Sequence, residues 1–200
     1  MKTSQPELIC DFVGGAVGHR FRSGNNRSLP LAKAAGLKKG LNPTIVDATA
    51  GLGRDSFLLA SLGANVILIE RNDHMHDLLQ DGLAKAKNEG GNYLEVVDRM
   101  QLIHGDAKEV LPTLNPEIIL IDPMHPPRQK SALVKKEMRI IREIVGTDPD
   151  AKQLLEVALK IAQQRVVLKW PLRAMSIEGI EKPSHQIVGK STRYDVFIRT

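Results

Sequence analysis

Residues 46–55 read Val-Asp-Ala-Thr-Ala-Gly-Leu-Gly-Arg-Asp, and this stretch decides the fold class of the chain. A β-branched run ends at Asp47, a turn with two glycines follows, and an apolar helical pattern starts at once and runs to Leu62. Because Gly51 and Gly53 have no Cβ atom, the turn can adopt positive φ angles and a ligand can lie against its backbone. The stretch therefore predicts a strand, a tight turn and a helix that form a nucleotide-type cofactor site.

The charges around this turn indicate which cofactor it binds. A dinucleotide site typically has Gly-x-Gly-x-x-Gly, with a pyrophosphate at the helix N-terminus, but this turn has only two of those glycines. Asp47 and Asp55 flank them, and two carboxylates suit a cation such as the sulfonium and α-amino groups of S-adenosylmethionine. A nicotinamide cofactor is the weakest alternative, and a βα turn with no ligand is the structural one.

The composition is typical of one domain in a reducing compartment. A chain of 200 residues is long enough to bury a single core. Cys10 is the only cysteine, which excludes an intramolecular disulfide and a cysteine-based zinc cluster. Residues 73–77, Asp-His-Met-His-Asp, are more typical of an exposed helix start than of a metal site. With no apolar signal core and no run near the ~18 apolar residues of a membrane span, we expect a cytoplasmic protein without metal or membrane partner.

Short β-branched runs alternate with longer helical patterns from residue 45 onward, which favours a parallel sheet with crossover helices. Strands are predicted at residues 45–48, 65–70, 101–104, 117–122, 165–169, 185–189 and 194–199. Helices are predicted at residues 55–62, 73–88, 107–111, 131–145 and 151–163. Only four residues separate the last two strands, so these should form an antiparallel hairpin. The predicted class is α/β, a Rossmann-like class I methyltransferase fold with a mostly parallel seven-stranded sheet.

The N-terminal region, residues 1–43, has a different pattern, and we expect it to pack on a methyltransferase domain at residues 44–200. Residues 11–18 fit a strand and a turn, and residues 19–27 fit a basic loop. The arginines of this loop are Arg20, Arg22 and Arg27. They either bind nucleic-acid phosphates or solvate an irregular segment, and the sequence favours neither interpretation.

Acidic residues follow the second and third predicted strands. Glu70 lies about 20 residues beyond Gly51, where an acid reaches the ribose hydroxyls of a nucleotide cofactor; the alternative is a solvated acid at a strand end. Arg71 either packs over the adenine or pairs with a neighbouring acid. Asp106, followed by Ala107, lies where a carboxylate can accept a hydrogen bond from the adenine amino group, and it can also cap the next helix.

The fourth predicted strand ends in Asp122-Pro123-Met124-His125-Pro126-Pro127, at the sheet edge where open α/β folds bind ligands. The segment is similar to the Asp/Asn-Pro-Pro-Phe/Tyr motif of methyltransferases that modify planar exocyclic amines. Asp122 and the Pro123 carbonyl can each accept an N–H bond, which orients the amine lone pair and stabilises the positive charge that develops on nitrogen. His125 occupies the position of a residue that stacks on the base. The structural alternative is an acid before a rigid proline turn.

A cationic helix is predicted directly after this motif, in a chain whose formal net charge is +5. The cations that we expect to contact an RNA backbone are Arg128, Lys130, Lys135, Lys136 and Arg139. A basic helix face beside a catalytic site is what such a backbone requires. A helix face that is merely solvated is the alternative interpretation.

Five segments of the chain together resemble one family, the bacterial small-subunit ribosomal RNA guanine-N2 methyltransferase J. The resemblance extends from about Asp11 to the C-terminus. The segments are residues 11–20, 47–55, 68–72, 122–126 and 129–139. The last of them, Gln-Lys-Ser-Ala-Leu-Val-Lys-Lys-Glu-Met-Arg, is long and unusual, which makes a chance similarity improbable. His125 departs from the family pattern, which has Phe there.

The resemblance implies that S-adenosylmethionine donates a methyl group to the exocyclic N2 of a guanine, with small-subunit ribosomal RNA or the 30S subunit as partner. The cofactor contacts that it implies are Arg54, Asp55, Glu70, Arg71, Asp106, Ala107 and Asp122. Methylation of adenine N6 or of a glutamine amide stays open, as does a catalytically silent factor that binds ribosomal RNA during assembly. The cationic helix argues against a protein substrate. The intact acids Asp47, Glu70 and Asp122 argue against a silent factor.

Overall fold

A computed structural model of the chain describes residues 8–24, 27–124, 140–141, 144–146 and 148–199. Seven strands form one sheet in the order β3-β2-β1-β4-β5-β7-β6. The strands are β1 (Thr44–Asp47), β2 (Asn65–Glu70), β3 (Met100–His104), β4 (Ile118–Ile121), β5 (Arg165–Pro171), β6 (His185–Val188) and β7 (Thr192–Ile198). The sheet therefore has the predicted architecture.

The pairing of the strands brings the ends of β1, β2 and β4 together. β1 lies parallel to both β2 and β4, and β5 lies parallel to β4 on the far side. β7 runs antiparallel between β5 and β6, which forms the predicted C-terminal hairpin. Because the chain order reverses between β1 and β4, the ends of these two strands open a crevice, the usual ligand position in an open α/β sheet.

The helices connect the strands and cover both faces of the sheet. They are α1 (Gly15–Ser23), α2 (Pro30–Ala34), α3 (Arg54–Ser61), α4 (Asp73–Glu89), α5 (Gly91–Val97), α6 (Ala107–Val110) and α7 (Ala151–Ile161), with a 3₁₀ turn at Leu111–Thr113. Residues 140–141 and 144–145 are also helical, inside the helix predicted at 131–145, while residues 131–139 lie outside the described part of the chain. Successive strand residues point to opposite faces. Ile45 therefore joins one buried cluster and Val46 the other.

The prediction of a strand at residues 11–18 and a basic loop at 19–27 is wrong, because Gly15–Ser23 form the helix α1. The Asp11 side chain accepts the backbone N–H groups of Val13 and Gly14 and so reverses the chain just before α1. Phe21 then places its ring edge on Phe57, with centroids 5.4 Å apart. The helix is stabilised by contacts with distant residues that no local pattern reveals.

The N-terminal residues share the hydrophobic core with the rest of the chain. Phe12 stacks on Phe57 with ring centroids 4.8 Å apart, and it is 1% exposed. Leu31 and Ala34 of α2 belong to the same cluster as Ile45 of the sheet. The division at residues 43 and 44 stays a prediction. None of the described helices is long and apolar enough to cross a membrane.

Candidate active site

A cavity of about 300 Å³ lies at the ends of β1, β2 and β4. Its volume is within the range of small-molecule sites. The predicted site residues that line it are Arg20, Asp47, Gly51, Arg54, Asp55, Glu70, Arg71, Asp106, Ala107 and Asp122. The fold thus brings together in one space residues that are up to a hundred positions apart in the sequence.

The glycine turn has the backbone geometry that its sequence predicts. Gly51 and Gly53 have φ angles of +54° and +64°, a region that side chains with a Cβ rarely adopt. Gly51 lines the cavity, whereas Gly53 is not among its lining residues. A Cβ on Gly53 would lie 2.7 Å from a methyl carbon of Leu79. Gly53 therefore permits close packing of α4 on the turn, and its predicted contact with the cofactor stays a prediction.

Glu70 is fixed by backbone donors on both of its oxygens. Its Oε2 accepts the N–H of Gly51 and its Oε1 accepts the N–H of Asn72, each at 2.8 Å. The residue is 7% exposed. Since a carboxylate has about four lone-pair sites, two neutral donors leave acceptor capacity for the hydroxyls of a ribose. The side chain thus joins the glycine turn to the end of β2 and faces the cavity.

Asp47 is a buried carboxylate at the end of β1. Its Oδ2 accepts the Ser56 hydroxyl and its Oδ1 accepts the Thr49 N–H. Burial raises its pKa to about 7, and the Ser56 hydrogen bond opposes this shift. No cation is among these hydrogen-bond donors, so a positively charged ligand in the cavity would be attracted to Asp47.

Asp122 lies between β1 and β5 at the inner end of the cavity. Its backbone N–H donates to the Thr49 hydroxyl at 2.7 Å, which ties the turn after β4 to the turn after β1. Its Oδ2 accepts Lys169 Nζ at 2.6 Å, and the same ammonium donates to Asp55 at 2.7 Å. Burial raises the pKa of Asp122, and the Lys169 charge opposes that effect. Pro123 is buried next to it.

Two acids from the segment before α7 cover the opposite end of the cavity. Arg71 forms ion pairs with Asp148 and Asp150, and Lys108 pairs with Asp150. Burial disfavours the Asp150 carboxylate, but Lys108 and Arg71 outweigh it and lower its pKa. Of the two roles open to Arg71, the structure therefore contains the pairing with acids. We call these four residues the ionic clasp.

Asp106 and Ala107 occupy the start of α6, beneath the ionic clasp. The Asp106 side chain accepts the Lys108 N–H at 2.9 Å, so the predicted capping role is confirmed. Both residues line the cavity. Asp148 also holds the chain after β4, because its carboxylate accepts the Met124 N–H and its own N–H donates to the Met124 carbonyl at 3.2 Å.

The arginines predicted to bind RNA differ in their surroundings. Arg20 lines the cavity. Arg22 donates to the Val13 carbonyl and to the Tyr93 hydroxyl, both at 2.8 Å. Arg27 donates to the Leu62 carbonyl at the end of α3. Arg22 and Arg27 thus stabilise the N-terminal region, and only Arg20 of the three lies beside the site.

Several other predicted residues lie outside the described part of the chain. They are His125, Arg128, Lys130, Lys135, Lys136 and Arg139. Within the described ranges, no group of three or more His, Cys, Asp or Glu residues could hold a metal ion. The predicted base stacking and the predicted cationic face stay predictions.

The sequence analysis assigned no role to Lys169, Thr49 or Asp148. Lys169 follows an apolar run in β5 just as Asp122 follows one in β4, so its place at the same sheet edge was available from the pattern. The Thr49 hydroxyl and the Asp148 carboxylate act through partners 73 and 24 positions away. No local spacing rule identifies such partners.

Comparison with known proteins places this site in a family. A family model described as "Putative SAM-dependent methyltransferase" matches residues 1–199. A Brucella anthropi protein named ribosomal RNA small subunit methyltransferase J is 67% identical over 198 residues, which are 99% of this chain and 97% of that protein. The chain belongs to the methyltransferase J family. The protein of that name from Agrobacterium fabrum is 62% identical over 198 residues, 99% of this chain and 95% of its own.

Solved structures agree with membership of the methyltransferase J family. The SAM-dependent methyltransferase NGO1261 from Neisseria gonorrhoeae superposes with a TM-score of 0.76 at 34% identity, covering 99% of this chain and 77% of that one. An RNA methyltransferase from Salinibacter ruber, solved with S-adenosyl-L-homocysteine, shares the fold with a TM-score of 0.53 at 15% identity, covering 84% and 86%. The predicted family, enzyme class, fold and cofactor are thereby confirmed: the chain is an S-adenosylmethionine-dependent methyltransferase.

Proposed function

We propose that this methyltransferase modifies the exocyclic N2 of a guanine in small-subunit ribosomal RNA, in the cytoplasm. One observation carries the proposal. Asp122, which begins the motif for amine recognition, lines the same cavity as the cofactor-site acids Asp47 and Glu70. An amine bound at Asp122 would therefore meet a methyl donor held at the ends of β1 and β2.

The residues of the cavity fit S-adenosylmethionine, which supplies an electrophilic methyl group on a positively charged sulfur. Glu70 offers two oriented oxygens to ribose hydroxyls. Asp47 and Asp55 present carboxylates on either side of the glycine turn, where the cationic end of the cofactor would lie. The cap of α6, Asp106, accepts hydrogen bonds at the adenine end. This set of donors and acceptors is complementary to a cation and would repel a pyrophosphate.

Asp122 and the Pro123 carbonyl would orient the amine by accepting its two N–H bonds. The nitrogen lone pair then forms the N–C bond in line with the departing sulfur, which keeps the electron pair of the broken C–S bond. Positive charge that develops on nitrogen is stabilised by the carboxylate, and the surplus proton passes to Asp122 or to water. Positioning and fixed acceptors accomplish most of this catalysis, because the reaction needs no strong base.

The choice of RNA as substrate rests on the names of the relatives and on the cations of the chain. Both relatives described above are named as small-subunit ribosomal RNA methyltransferases. Arg20 lies at the cavity, where it can contact a phosphate next to the extruded base. A guanine that is paired or stacked must first leave its helix, at a cost of a few kcal/mol.

Mass mapping of ribosomal RNA tests the proposal. Small-subunit RNA from cells that lack the gene should miss one N2-methylguanosine, and the purified enzyme with S-adenosylmethionine should restore it to 30S subunits or to free RNA from those cells. Restoration of N6-methyladenosine, or methylation of a protein glutamine, would replace the proposal with another enzyme activity. Ribosomal RNA binding without any methyl transfer would indicate an assembly factor.

A further inference from the structure

Lys169 bridges two acids at the inner end of the cavity, and neither the motif nor the names of the relatives assigns it a role. Its ammonium donates to Asp122 Oδ2 at 2.6 Å and to Asp55 Oδ2 at 2.7 Å. Leu168 pairs with Ile121 in the parallel register of β5 and β4, so Lys169 follows directly beside Asp122. The lysine side chain is 24% exposed, which means that solvent screens the contact only in part.

The contact determines both the charge and the orientation of Asp122. Burial raises the pKa of Asp122, and the neighbouring carboxylates add to that effect, whereas Lys169 opposes it. Burial likewise disfavours the Lys169 ammonium, but Asp122 and Asp55 outweigh it and raise the lysine pKa. A charge-assisted bond to one oxygen also fixes the plane of the carboxylate. Lys169 uses one of about four lone-pair sites of this carboxylate.

We propose that Lys169 is a positioning residue that keeps Asp122 ionised and turned toward the substrate base, and that this fixed anion selects a guanine edge over an adenine edge. The inference rests on the proposed function, because it concerns the base bound at Asp122.

The selection follows from the hydrogen-bond pattern of the two bases. Guanine presents N1–H and N2–H side by side, two donors that a carboxylate can accept together. Adenine presents the N6 amine beside N1, which is an acceptor. An ionised Asp122 facing adenine N1 would set two acceptors against each other, and this is costly in a site that excludes water. A protonated Asp122 would match adenine instead.

Other charged groups also face Asp122, and they all favour its protonation. They come from β1, α3, the segment before α7 and β7, and they are Asp47, Asp55, Asp148 and Tyr194. Among the described residues named here, the cation in contact with Asp122 is Lys169. Removal of its charge would leave Asp55 and Asp122 facing each other without compensation.

The pH dependence of methyl transfer separates this role from a merely structural one. We compare Lys169→Met, Lys169→Gln and Lys169→Arg with the wild type, using 30S subunits from cells that lack the gene. Loss of the charge should move the acidic limb of kcat upward by about one pH unit or more, so activity at pH 7 falls at least about tenfold and recovers at pH 9. Lys169→Arg should keep the limb near its wild-type position. Lys160→Met, an exposed lysine in α7, is the matched control.

Nucleoside analysis of the same reactions tests the selection. At low pH the Met and Gln variants should lose most of their preference for guanosine over adenosine, whereas Lys169→Arg keeps it. A pH profile lowered by one constant factor at every pH, with the base preference unchanged, would overturn the inference. Calorimetry with S-adenosylmethionine verifies that each variant is folded.

A second measurement needs no RNA. Carboxyl ¹³C NMR of the full-length protein, with the Asp122 signal assigned through Asp122→Asn, should show Asp122 titrating at a higher pH in Lys169→Met than in wild type. An unchanged titration would overturn the inference even if the enzyme methylates guanine. Absence of any methylguanosine from wild-type enzyme would refute the proposed function and leave this titration valid.

Discussion

The carboxylates at the two ends of the cavity are held in different ways. Asp47 and Glu70, at the ends of β1 and β2, accept hydrogen bonds from backbone N–H groups and a serine hydroxyl, which are neutral donors. Asp122 and the acids of the ionic clasp are instead held by the cations Lys169, Arg71 and Lys108. Neutral donors fix a carboxylate without cancelling its charge, whereas cations do both.

The difference separates a preformed site from an adjustable one. The first pair retains its negative charge, which a cationic cofactor can neutralise without any rearrangement of the protein. The second group is already neutralised, and its ion pairs are partly solvated, so a ligand can exchange them at small cost. We expect substitutions in the first group to change cofactor affinity and stability, and substitutions in the second to change turnover or little at all.

The largest expected effect is at Asp122. Asp122→Ala should lower kcat about 10²–10³-fold, because it removes the acceptor that stabilises charge in the transition state. Affinity for S-adenosylmethionine and for RNA should change by less than about threefold, within 1 kcal/mol. Single-turnover assays and calorimetry measure the two quantities. Asp98→Ala, at an exposed acid after α5, is the control; near-normal turnover of Asp122→Ala would remove Asp122 from the mechanism.

The pH dependence of stability probes Asp47. Because burial raises its pKa from the ordinary 3.8 to about 7, the folded state binds this proton more tightly than the unfolded state does. Stability from Asp47 is therefore fully present below about pH 4 and is lost as the pH rises to about 7, in total about 4 kcal/mol. Asp47→Asn should abolish that loss, which urea unfolding at pH 4 to 8 would measure. Parallel stability curves for the two proteins would contradict the assignment.

A moderate effect is expected at Glu70. In Glu70→Gln the amide has one acceptor oxygen, so either the Gly51 or the Asn72 N–H loses its partner, and the cost is about 1–3 kcal/mol. Calorimetry should show that S-adenosylmethionine binds about 10–100-fold more weakly. Glu89→Gln, at an exposed acid in the last turn of α4, should bind normally. Equal affinities for both variants would exclude Glu70 as a cofactor ligand.

The smallest effect is expected at the ionic clasp. Arg71 is 39% exposed, so a double-mutant cycle of Arg71→Met and Asp150→Asn should give a coupling energy of about 0–1 kcal/mol that shrinks with added salt. Thermal unfolding at low and high salt measures it. A coupling above about 2 kcal/mol would place the clasp with the fixed acids and remove the distinction drawn here.

The parts that the sequence predicts well are those in which chemistry and chain pattern coincide. Asp47, Glu70 and Asp122 each follow an apolar strand, and the ends of parallel strands meet at one edge, so their convergence needs no knowledge of the side-chain packing. Helix α1 was missed because its stability comes from Phe21 on Phe57, a contact between distant segments. Lys169 was missed for a related reason. Its partner Asp55 is 114 positions away, and a lysine after a strand is just as compatible with solvent.

The double contact between Met124 and Asp148 makes the intervening chain a separate module. Two hydrogen bonds join positions that are 24 residues apart, so this stretch leaves the sheet and returns to it through a single stem. The entropy of closing such a loop grows only slowly with its length, about 0.6 kcal/mol per doubling. Segments of different length or charge can therefore be exchanged on this stem without changing the seven strands. In this way one cofactor-binding scaffold can evolve toward different RNA targets.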